Sequence, residues 1–570
     1  MANITVSIDA ADFIDNLEEG YTIADSNSFE GAVLHNNLAL VMDYPSLKDK
    51  SHRIRSQKDK AVLSNKVEDI VTQLNIPESG RYRLYVRSQG ELGSDFRIYI
   101  DDKVDGYNYA NEELGWKKGG IYELAKGQIE VRIQLIKPVA AFDVLVLTSD
   151  ESFRPEEISF KQFPDDVELL KEYSVDAAHT VKFGLIADEN KMGFITLDDD
   201  WSTTAYNHDG EKLWSYQAPP LSEGMKNRAG YEAGALIWDI DRDGSGEVIH
   251  WRYIDDSEWL VVADGKTGEI KYKTKYPSAA TEKFFNYRLA VARLNPDFPD
   301  DIIVFADSGG DIRITAFDSK LNKLWSHTEN RPKDNLGHYI YPKDINDDGI
   351  DEIIVGAMAL DPKGEVIWET INDDNHFHVD SMRFADINGD GIDEMIAVYS
   401  DLGVHAIDIS NGETIWSGPA EHAQQVEVGN FIKEKEGLQI AAGARTYSPG
   451  KHYLYGQIYW YDAEGNLLNK WPKTSINGNP DFLKGDWYGD GKDQLFWLRF
   501  RIDETGKGVL SFPEQVYHCF DFTGEGVANV ITTDNGKIKV YGCKNANRDK
   551  TNAKRDIDYL YRKVVNHTHY

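Results

Sequence analysis

Residues 344–352 read Asp-Ile-Asn-Asp-Asp-Gly-Ile-Asp-Glu, and two further stretches repeat this pattern: Asp239-Ile-Asp-Arg-Asp-Gly-Ser-Gly-Glu247 and Asp386-Ile-Asn-Gly-Asp-Gly-Ile-Asp-Glu394. Weaker copies begin at Asp486 and Asp521. Oxygen-bearing side chains stand at positions 1, 3, 5 and 9 of the full copies, and glycine stands at position 6. Each copy is followed by a short run rich in Val, Ile and aromatic residues, which predicts a β-strand. The pattern therefore indicates an array of repeats.

The spacing of the repeats predicts the architecture. Units without the full loop start near Phe183, Leu294 and Gly429, so eight units begin near residues 183, 239, 294, 344, 386, 429, 486 and 521, spaced by 35 to 57 residues. That spacing fits four-stranded propeller blades of about 40–50 residues. Several units close on a strand with a tryptophan, at Trp214, Trp325, Trp368 and Trp416. An all-β, eight-bladed propeller is predicted for residues 170–570. Seven blades are the alternative, because the short first and last units can share one.

Residues 1–150 lack the acidic repeat and read as a separate β domain. Their strand motifs are G-R-Y-R-L-Y-V-R at 80–87, G-W-K-K-G-G at 115–120, K-G-Q-I-E-V-R-I at 126–133 and F-D-V-L-V-L-T-S-D at 142–150. Alternating polar and apolar residues predict half-buried strands, and we expect a jelly-roll type β-sandwich joined by a linker, residues 151–169. The order of motifs resembles the carbohydrate-binding sandwiches appended to glycan-degrading enzymes. Tyr107, Tyr109 and Trp116 are candidates for stacking on sugar, with packing inside the domain as the alternative.

Charge and composition exclude several classes of function. The 570 residues include 62 Lys+Arg and 96 Asp+Glu, a net charge of −34, which argues against a nucleic-acid partner. No run approaches the roughly 18 apolar residues of a membrane span. The first residues contain no export signal, so we expect a secreted or periplasmic protein whose signal has been removed, with a cytoplasmic protein as the alternative. Cys519 and Cys543 are expected to be buried free thiols rather than a disulfide.

The acidic loops have the ligand chemistry of calcium sites. Ca²⁺ takes six or more oxygen ligands, and a glycine lets a short loop turn sharply around the ion. The loops contain neither sulfur nor imidazole, which disfavours zinc and copper. Because the same loop recurs in successive units, we predict several calcium ions with a mainly structural role. The predicted ligands are Asp239, Asp241, Asp243, Glu247, Asp344, Asn346, Asp348, Glu352, Asp386, Asn388, Asp390, Glu394, Asp486 and Asp490.

Polar residues precede these loops, where the first strands of the blades would converge on one end of a central channel. The candidate catalytic residues are His338, Tyr339, His378, Arg383 and His422, and the candidate substrate-binding residues are Arg228, Tyr231, Glu232, Tyr287, Arg288 and Asp380. Clustered His and Arg inside so acidic a protein favour an anionic ligand. Such a set can perform β-elimination from a uronic acid: a cation neutralises the carboxylate while a base and an acid move protons. Glycoside hydrolysis by Glu232, Asp380 or Glu421 stays open.

The propeller resembles the rhamnogalacturonan lyases of polysaccharide lyase family eleven. His378-Val-Asp-Ser-Met382 is similar to that family's H-G-D-A-M-H segment, but Arg383 stands at its second His and Tyr399-Ser400 replaces a later H-E. Those family positions help to hold a calcium ion that bridges to substrate. The resemblance therefore implies a divergent lyase in which Arg383 neutralises the substrate carboxylate.

The resemblance implies that the protein is a polysaccharide lyase that acts on a uronate-containing glycan such as a rhamnogalacturonan or an ulvan. The expected binding partner is an anionic polysaccharide or oligosaccharide. We expect the protein to bind neither nucleic acid nor a membrane and to be a monomer. The alternatives are a non-catalytic glycan-binding protein, a glycoside hydrolase on the same propeller, or an integrin-like adhesion propeller.

Overall fold

The chain is described here by a computed structural model. The described residues are 3–10, 12–13, 21–25, 34–35, 38–42, 69–91, 93–137, 140–158, 166–176, 180–188, 191–198, 200–220, 235–277, 286–296, 300–307, 311–330, 340–370, 379–400, 402–420, 422–432, 434–447, 453–470, 482–497, 500–502, 508–534 and 536–548. Strands dominate, and no helix within these ranges combines the length and apolar character needed to cross a membrane.

The first ten strands form the predicted sandwich. They are β1 (Thr5–Asp9), β2 (Tyr21–Asp25), β3 (Leu38–Met42), β4 (Ile70–Ile76), β5 (Gly80–Gly90), β6 (Asp95–Ile100), β7 (Lys103–Val104), β8 (Gly115–Leu124), β9 (Gly127–Lys137) and β10 (Ala140–Thr148). One sheet has the order β2-β3-β10-β5-β8 with β1 beside β10, and the other has the order β4-β9-β6-β7. Buried residues alternate with more exposed ones along β6 and β9, which confirms the strand pattern seen in the sequence.

The three aromatic residues considered for sugar stacking are split by this fold. Tyr109 is fully buried in the sandwich core, and Trp116 is partly buried against the cluster of Tyr85, Val144 and Val146. Tyr107 is 55% exposed. A platform that includes Tyr109 is therefore wrong, because that side chain lies inside the sandwich, while sugar stacking on Tyr107 or Trp116 stays a prediction.

The later strands form eight four-stranded antiparallel sheets. Blades 1 to 4 are β12 (Thr180–Asp188), β13 (Lys191–Leu197), β14 (Thr203–Tyr206) and β15 (Lys212–Tyr216); β16 (Ala235–Trp238), β17 (Glu247–Ile254), β18 (Ser257–Ala263) and β19 (Ile270–Lys275); β20 (Asn286–Ala292), β21 (Asp301–Asp307), β22 (Asp311–Phe317) and β23 (Lys323–Asn330); β24 (Ile340–Lys343), β25 (Glu352–Val355), β26 (Met358–Leu360) and β27 (Val366–Glu369). Blades 5 to 7 are β28 (Val379–Ala385), β29 (Glu394–Tyr399), β30 (Gly403–Asp408) and β31 (Thr414–Gly418); β32 (His422–Gly429), β33 (Gln439–Tyr447), β34 (Tyr453–Tyr461) and β35 (Leu467–Lys470); β36 (Leu483–Gly485), β37 (Gln494–Trp497), β38 (Phe500–Ile502) and β39 (Gly508–Ser511).

Blade 8 is built from both ends of the propeller sequence. Its strands β40 (Gln515–Phe520), β41 (Asn529–Asp534) and β42 (Lys537–Cys543) are completed by β11 (Val167–Ser174), which pairs antiparallel with β42. The first unit keeps four strands of its own (β12–β15), and the last unit is completed by β11, so the described strands form eight blades and the eight-bladed prediction is confirmed. Strand β11 also begins inside the predicted linker. Cys519 and Cys543 lie in this blade as buried free thiols.

The tryptophans near the blade ends connect neighbouring blades. The indole Nε1–H of Trp325 donates to the carbonyl of Pro362 in the next blade (2.9 Å), and Trp368 donates in the same way to Ile409 (2.9 Å). Trp214 and Trp416 repeat the contact with Gly265 (2.8 Å) and Ala463 (2.9 Å). Each ring also covers a glycine of the partner turn, so the repeated tryptophan is an inter-blade clasp.

The first strands line the channel, and at six of the eight blade junctions the first strand of one blade contacts that of the next: β12 with β16, β16 with β20, β20 with β24, β28 with β32, β32 with β36 and β36 with β40. The ring closes between blades 8 and 1, where Tyr517 Oη accepts a hydrogen bond from Val181 N (3.2 Å). The acidic loops follow the first strands and therefore lie at one end of the channel. The first residues of the first strands lie at the opposite end, which is called the leading-loop end below.

Candidate functional site

The acidic loops share one hydrogen-bonded frame. In the loop of blade 5, the carboxylate of Asp386 accepts from the amides of Asp390 (3.0 Å) and Gly391 (2.9 Å). Glu394 Oε2 accepts from the amide of Ile387 (3.0 Å). Gly391 has a φ of 92°, a left-handed conformation that favours glycine. The position-6 glycine is therefore needed for the turn itself.

The loops of blades 2 and 4 repeat this frame. Asp239 accepts from the amide of Gly244 (3.0 Å), and Asp344 accepts from the amide of Gly349 (2.8 Å). In blade 2, ligand oxygens of Asp239, Asp241 and Glu247 lie within 4.8 Å of one another. Carboxylate oxygens of this loop thus converge, as a hard cation requires.

The position-9 glutamates Glu247, Glu352 and Glu394 are buried. Burial raises the pKa of Glu352, and the neighbouring carboxylates of Asp348 and Asp344 raise it further. The pKa of Glu394 is raised for the same reasons. Several carboxylates around a buried carboxyl group repel one another, and a divalent cation would remove that repulsion. The donor set therefore fits calcium, which stays a prediction.

The two weaker loops keep the frame but have fewer carboxylates. Asp486 accepts from the amide of Gly491 (2.8 Å), and Gln494 Oε1 takes the place of the glutamate by accepting from the amide of Trp487 (2.8 Å). In the last loop, Asn529 accepts from the amide of Phe522 (3.0 Å). An amide oxygen can thus complete the frame without a charge. The predicted ligands Asp486 and Asp490 are the carboxylates at the ligand positions of their loop.

Position 8 of the loops has a role that the sequence reasoning missed. Lys343 Nζ of blade 4 donates to Asp393 of the blade 5 loop (2.6 Å), and the amide of Arg293 donates to Asp351 of the blade 4 loop (2.7 Å). Each position-8 carboxylate therefore reaches back to the preceding blade. The signal was present in the sequence, since Asp recurs at that position.

Arg383 lies in strand β28 with a partner in the neighbouring blade. Its Nε–H donates to Glu427 Oε2 (2.9 Å), and Nη1–H donates to the carbonyl of Met382 (2.9 Å). The side chains of Arg383 and Glu427 are only 5% and 9% exposed. The guanidinium that was assigned to a substrate carboxylate thus already has a carboxylate partner. Glu427 was missed, although the polar run Gln424-Gln425 in the same first strand was a signal.

Three other candidates can be placed. Asp380 is buried at the start of β28 and accepts a hydrogen bond from the hydroxyl of Ser400, at the end of β29. His422 is half-buried at the start of β32, opposite Arg445 in the register, and Arg288 is buried in β20. All three lie in first strands, toward the leading-loop end of the channel. The fold thus brings these positions to the same end of the channel.

The remaining candidates are outside what can be described. Seven of the candidates lie outside the described residues: His338, Tyr339, His378, Arg228, Tyr231, Glu232 and Glu421. Tyr287 is placed by its backbone alone, in β20 opposite Ala306. The catalytic and substrate-binding assignments therefore stay predictions.

Comparison with known proteins points to one group of enzymes. The rhamnogalacturonan endolyase YesW of Bacillus subtilis (strain 168) is 21% identical over 373 residues, which are 51% of this chain and 58% of that protein. The rhamnogalacturonan exolyase YesX of the same organism is 24% identical over 415 residues, 55% of this chain and 66% of that protein. The matches thus span less than two thirds of either relative. They confirm the resemblance to rhamnogalacturonan lyases, at low identity.

Solved structures agree on the fold. The exotype rhamnogalacturonan lyase YesX superposes with a TM-score of 0.52 at 15% identity, covering 83% of this chain and 88% of that one. The rhamnogalacturonan lyase PL11 of Bacillus licheniformis gives a TM-score of 0.52 at 16% identity, covering 83% and 92%. Residues 231–424 also match a family model described as outer membrane protein assembly factor BamB. The all-β propeller fold is therefore confirmed.

Proposed function

We propose that the protein is a polysaccharide lyase that cleaves a uronate-containing glycan by β-elimination at the leading-loop end of the channel. The observation that carries the proposal is the likeness to two rhamnogalacturonan lyases over more than half of the chain. The first strands support it, because they bring Arg288, Asp380 and His422 toward that end. Calcium in the acidic loops, at the opposite end, would stabilise the blades and take no part in the reaction.

The chemistry needs three roles. A cation lowers the energy of the enolate that forms when a base removes the proton next to the carboxylate, and an acid protonates the leaving glycosidic oxygen. The C–O bond breaks as the C=C bond forms, so the products are an unsaturated uronate and a new chain end. His338, His378 and His422 are the candidates for base and acid, because imidazole exchanges protons near neutral pH.

Two arginines are candidates for the cation that neutralises the substrate carboxylate. Arg383 contacts Glu427, so a substrate carboxylate would have to compete for its guanidinium. We therefore propose that Arg383 positions the strands on which Asp380 and His422 stand, and that Arg288 and Arg383 are equal candidates for meeting the substrate carboxylate. An Arg at either place can bind a carboxylate through two parallel hydrogen bonds.

The test is incubation of the full chain with rhamnogalacturonan, ulvan and a carboxyl-reduced sample of each polymer. We expect ultraviolet absorbance from the unsaturated uronate with an intact polymer and none with its carboxyl-reduced form. New reducing ends without this absorbance would indicate a hydrolase, and retention of polymer without cleavage would indicate a binding protein. Both results would contradict the proposal.

The candidate acid and base can then be tested singly. Replacing His338 or His378 by Ala should lower the rate by ~10²–10⁴ if that residue transfers a proton. His327 lies in β23, the outer strand of blade 3, and His327→Ala is the matched control. Equal rates in all three variants would place the chemistry elsewhere.

A further inference from the structure

The acidic loop of blade 2 holds a cation that belongs to the protein. Lys271 Nζ lies 2.6 Å from Glu247 Oε1, 3.2 Å from Asp241 Oδ2 and 3.8 Å from Asp243 Oδ2. These carboxylates are positions 9, 3 and 5 of the loop, which are the predicted calcium ligands. The Glu247 side chain is 1% exposed, so the lysine rather than water meets its charge.

Lys271 stands at a position that is aliphatic in other blades. It is the second residue of β19, immediately before Tyr272, which lies opposite Val262. In blades 4 and 5 a clasp tryptophan occupies the position that Tyr272 has in blade 2. Trp368 lies opposite Ala359 and Trp416 lies opposite Ala406, both on the third strand of their blade. The residues equivalent to Lys271 are Leu213, Leu324, Ile367, Ile415 and Leu468. Blade 2 therefore differs by one residue that carries a charge.

An ammonium group satisfies this loop by different chemistry from a metal ion. It donates up to three hydrogen bonds, and its single charge sits among three carboxylates. A divalent ion needs six or more oxygen ligands in the same small space, and the ammonium would repel it. The lysine and the metal therefore exclude each other.

The described residues of blades 4 and 5 include no lysine in the place of Lys271. Among the described residues, no Lys or Arg side chain pairs with Asp344, Asp348, Asp386 or Asp390, and Lys343 contacts position 8 rather than a ligand position. At the position of Lys271 these blades have Ile367 and Ile415, whose side chains are about half exposed. Nothing in the described part of these loops neutralises the carboxylates.

We propose that Lys271 occupies the cation position of loop 239–247, so that this loop is stable without metal while loops 344–352 and 386–394 take up calcium. The prediction that all three full copies bind calcium is thereby narrowed to two. The inference rests on the proposed calcium sites and is independent of lyase activity.

Reciprocal substitutions test it. Bound calcium is counted per full-length chain by titration calorimetry, after chelation and with CaCl₂ alone as the probe. Lys271→Ile should bind one ion more than the wild type, because the blade 2 loop is opened. Ile367→Lys should bind one ion fewer, because a lysine is placed beside the blade 4 loop. The differences between variants are the readout, whatever the total.

Stability gives a second readout. In EDTA, Lys271→Ile should melt below the wild type, and added calcium should restore most of the loss. Lys271→Met repeats the test with a side chain of similar length. An unchanged ion count in both Lys271 variants would overturn the inference, as would an unchanged count in Ile367→Lys. Loss of lyase activity without a change in the count would bear on the proposed function alone.

Discussion

At the scale of single residues, the buried pair of Arg383 and Glu427 decides what a mutation at the channel would mean. Removing one partner of a buried ion pair leaves an uncompensated charge and costs about 3–5 kcal/mol. Arg383→Ala should therefore lower the free energy of unfolding by about that much, and adding Glu427→Ala should recover most of it. Denaturant unfolding of the two single variants and the double variant measures this.

The same cycle separates structure from catalysis. If Arg383 only positions the strands, lyase activity should return with stability in the double variant. If the guanidinium meets the substrate, activity should stay low while stability returns. Unchanged stability in Arg383→Ala would contradict the ion pair itself.

Asp301 predicts a pH dependence of stability. It is buried at position 9 of the degenerate blade 3 loop, where it accepts from the amide of Leu294 (3.3 Å). Burial raises its pKa from 3.8 to about 6, and Asp300 adds to the shift. A raised pKa means that the folded state holds the proton more tightly. The contribution of Asp301 is therefore full below about pH 4 and is lost as the pH rises through about 6.

Asp301→Asn should remove the loss of stability at higher pH, because an asparagine can complete the loop frame without a charge, as Asn529 does in the last loop. We expect the variant to be more stable than the wild type by about 1–3 kcal/mol at pH 7–8 and nearly equal at pH 4. Gln439 is the buried residue at position 9 of the blade 6 loop, where it accepts from the amide of Ile432. Gln439→Glu is the reverse substitution, and the variant should lose stability as the pH rises because its buried carboxyl group ionises. Parallel stability curves for Asp301→Asn and the wild type would refute the assignment.

Residue types were easier to predict than residue partners. The spacing of Asp, Gly and Glu within nine residues fixes the loop frame, because all its hydrogen bonds are local. The partner of Arg383 is 44 residues away and the partner of Glu247 is 24 residues away. A single sequence does not reveal such pairs, so Arg383 looked available for substrate and loop 239–247 looked available for calcium.

At the scale of elements, the clasps hold each blade to the next. Trp368 is buried, and the Cβ of an alanine at Gly412 would lie 2.9 Å from its ring. Trp368→Ala should cost about 3–5 kcal/mol, through lost packing and a lost hydrogen bond. Gly412→Ala should also destabilise the protein, both by this clash and by its φ of 77°.

A matched glycine isolates the clash. Gly491 has a φ of 80°, but an added Cβ would meet nothing within 4 Å. Gly491→Ala should therefore cost only the backbone strain, about 1–2 kcal/mol. Thermal unfolding of the two variants compares them, and equal losses would mean that the ring does not pack on Gly412 as described.

Metal removal is the test of the acidic loops as elements. If calcium binds only the folded loops, EDTA should lower the melting temperature and added calcium should restore it. One site contributes about 2.7 kcal/mol when calcium is a hundredfold above its dissociation constant. Magnesium at the same concentration is the control, because it prefers a smaller octahedral site with bound water. An unchanged melting curve after exhaustive chelation would contradict the calcium assignment.

At the scale of the whole molecule, β11 and the sandwich hold the propeller in different ways. Strand β11 closes blade 8, and its Tyr173 donates to the carbonyl of His208 in blade 1 (2.8 Å). The sandwich core belongs to one apolar cluster with side chains of blades 6 and 7, among them Phe431, Trp460 and Phe482. The sequence indicated two domains but not this contact, since apolar residues at a surface look the same whether or not they are covered.

Two truncations should therefore behave differently. A chain that starts at residue 166 keeps β11, so we expect a folded propeller with one cooperative transition. Its melting temperature should be lower than that of the full chain, because apolar surface of blades 6 and 7 becomes exposed. A chain that starts at residue 176 lacks β11 and leaves the edge of β42 unpaired, with no strand to join blades 8 and 1. We expect it to aggregate or to unfold without a sharp transition. Calorimetry and gel filtration of both chains check this, and a shorter chain as stable as the longer one would show that closure by β11 is dispensable.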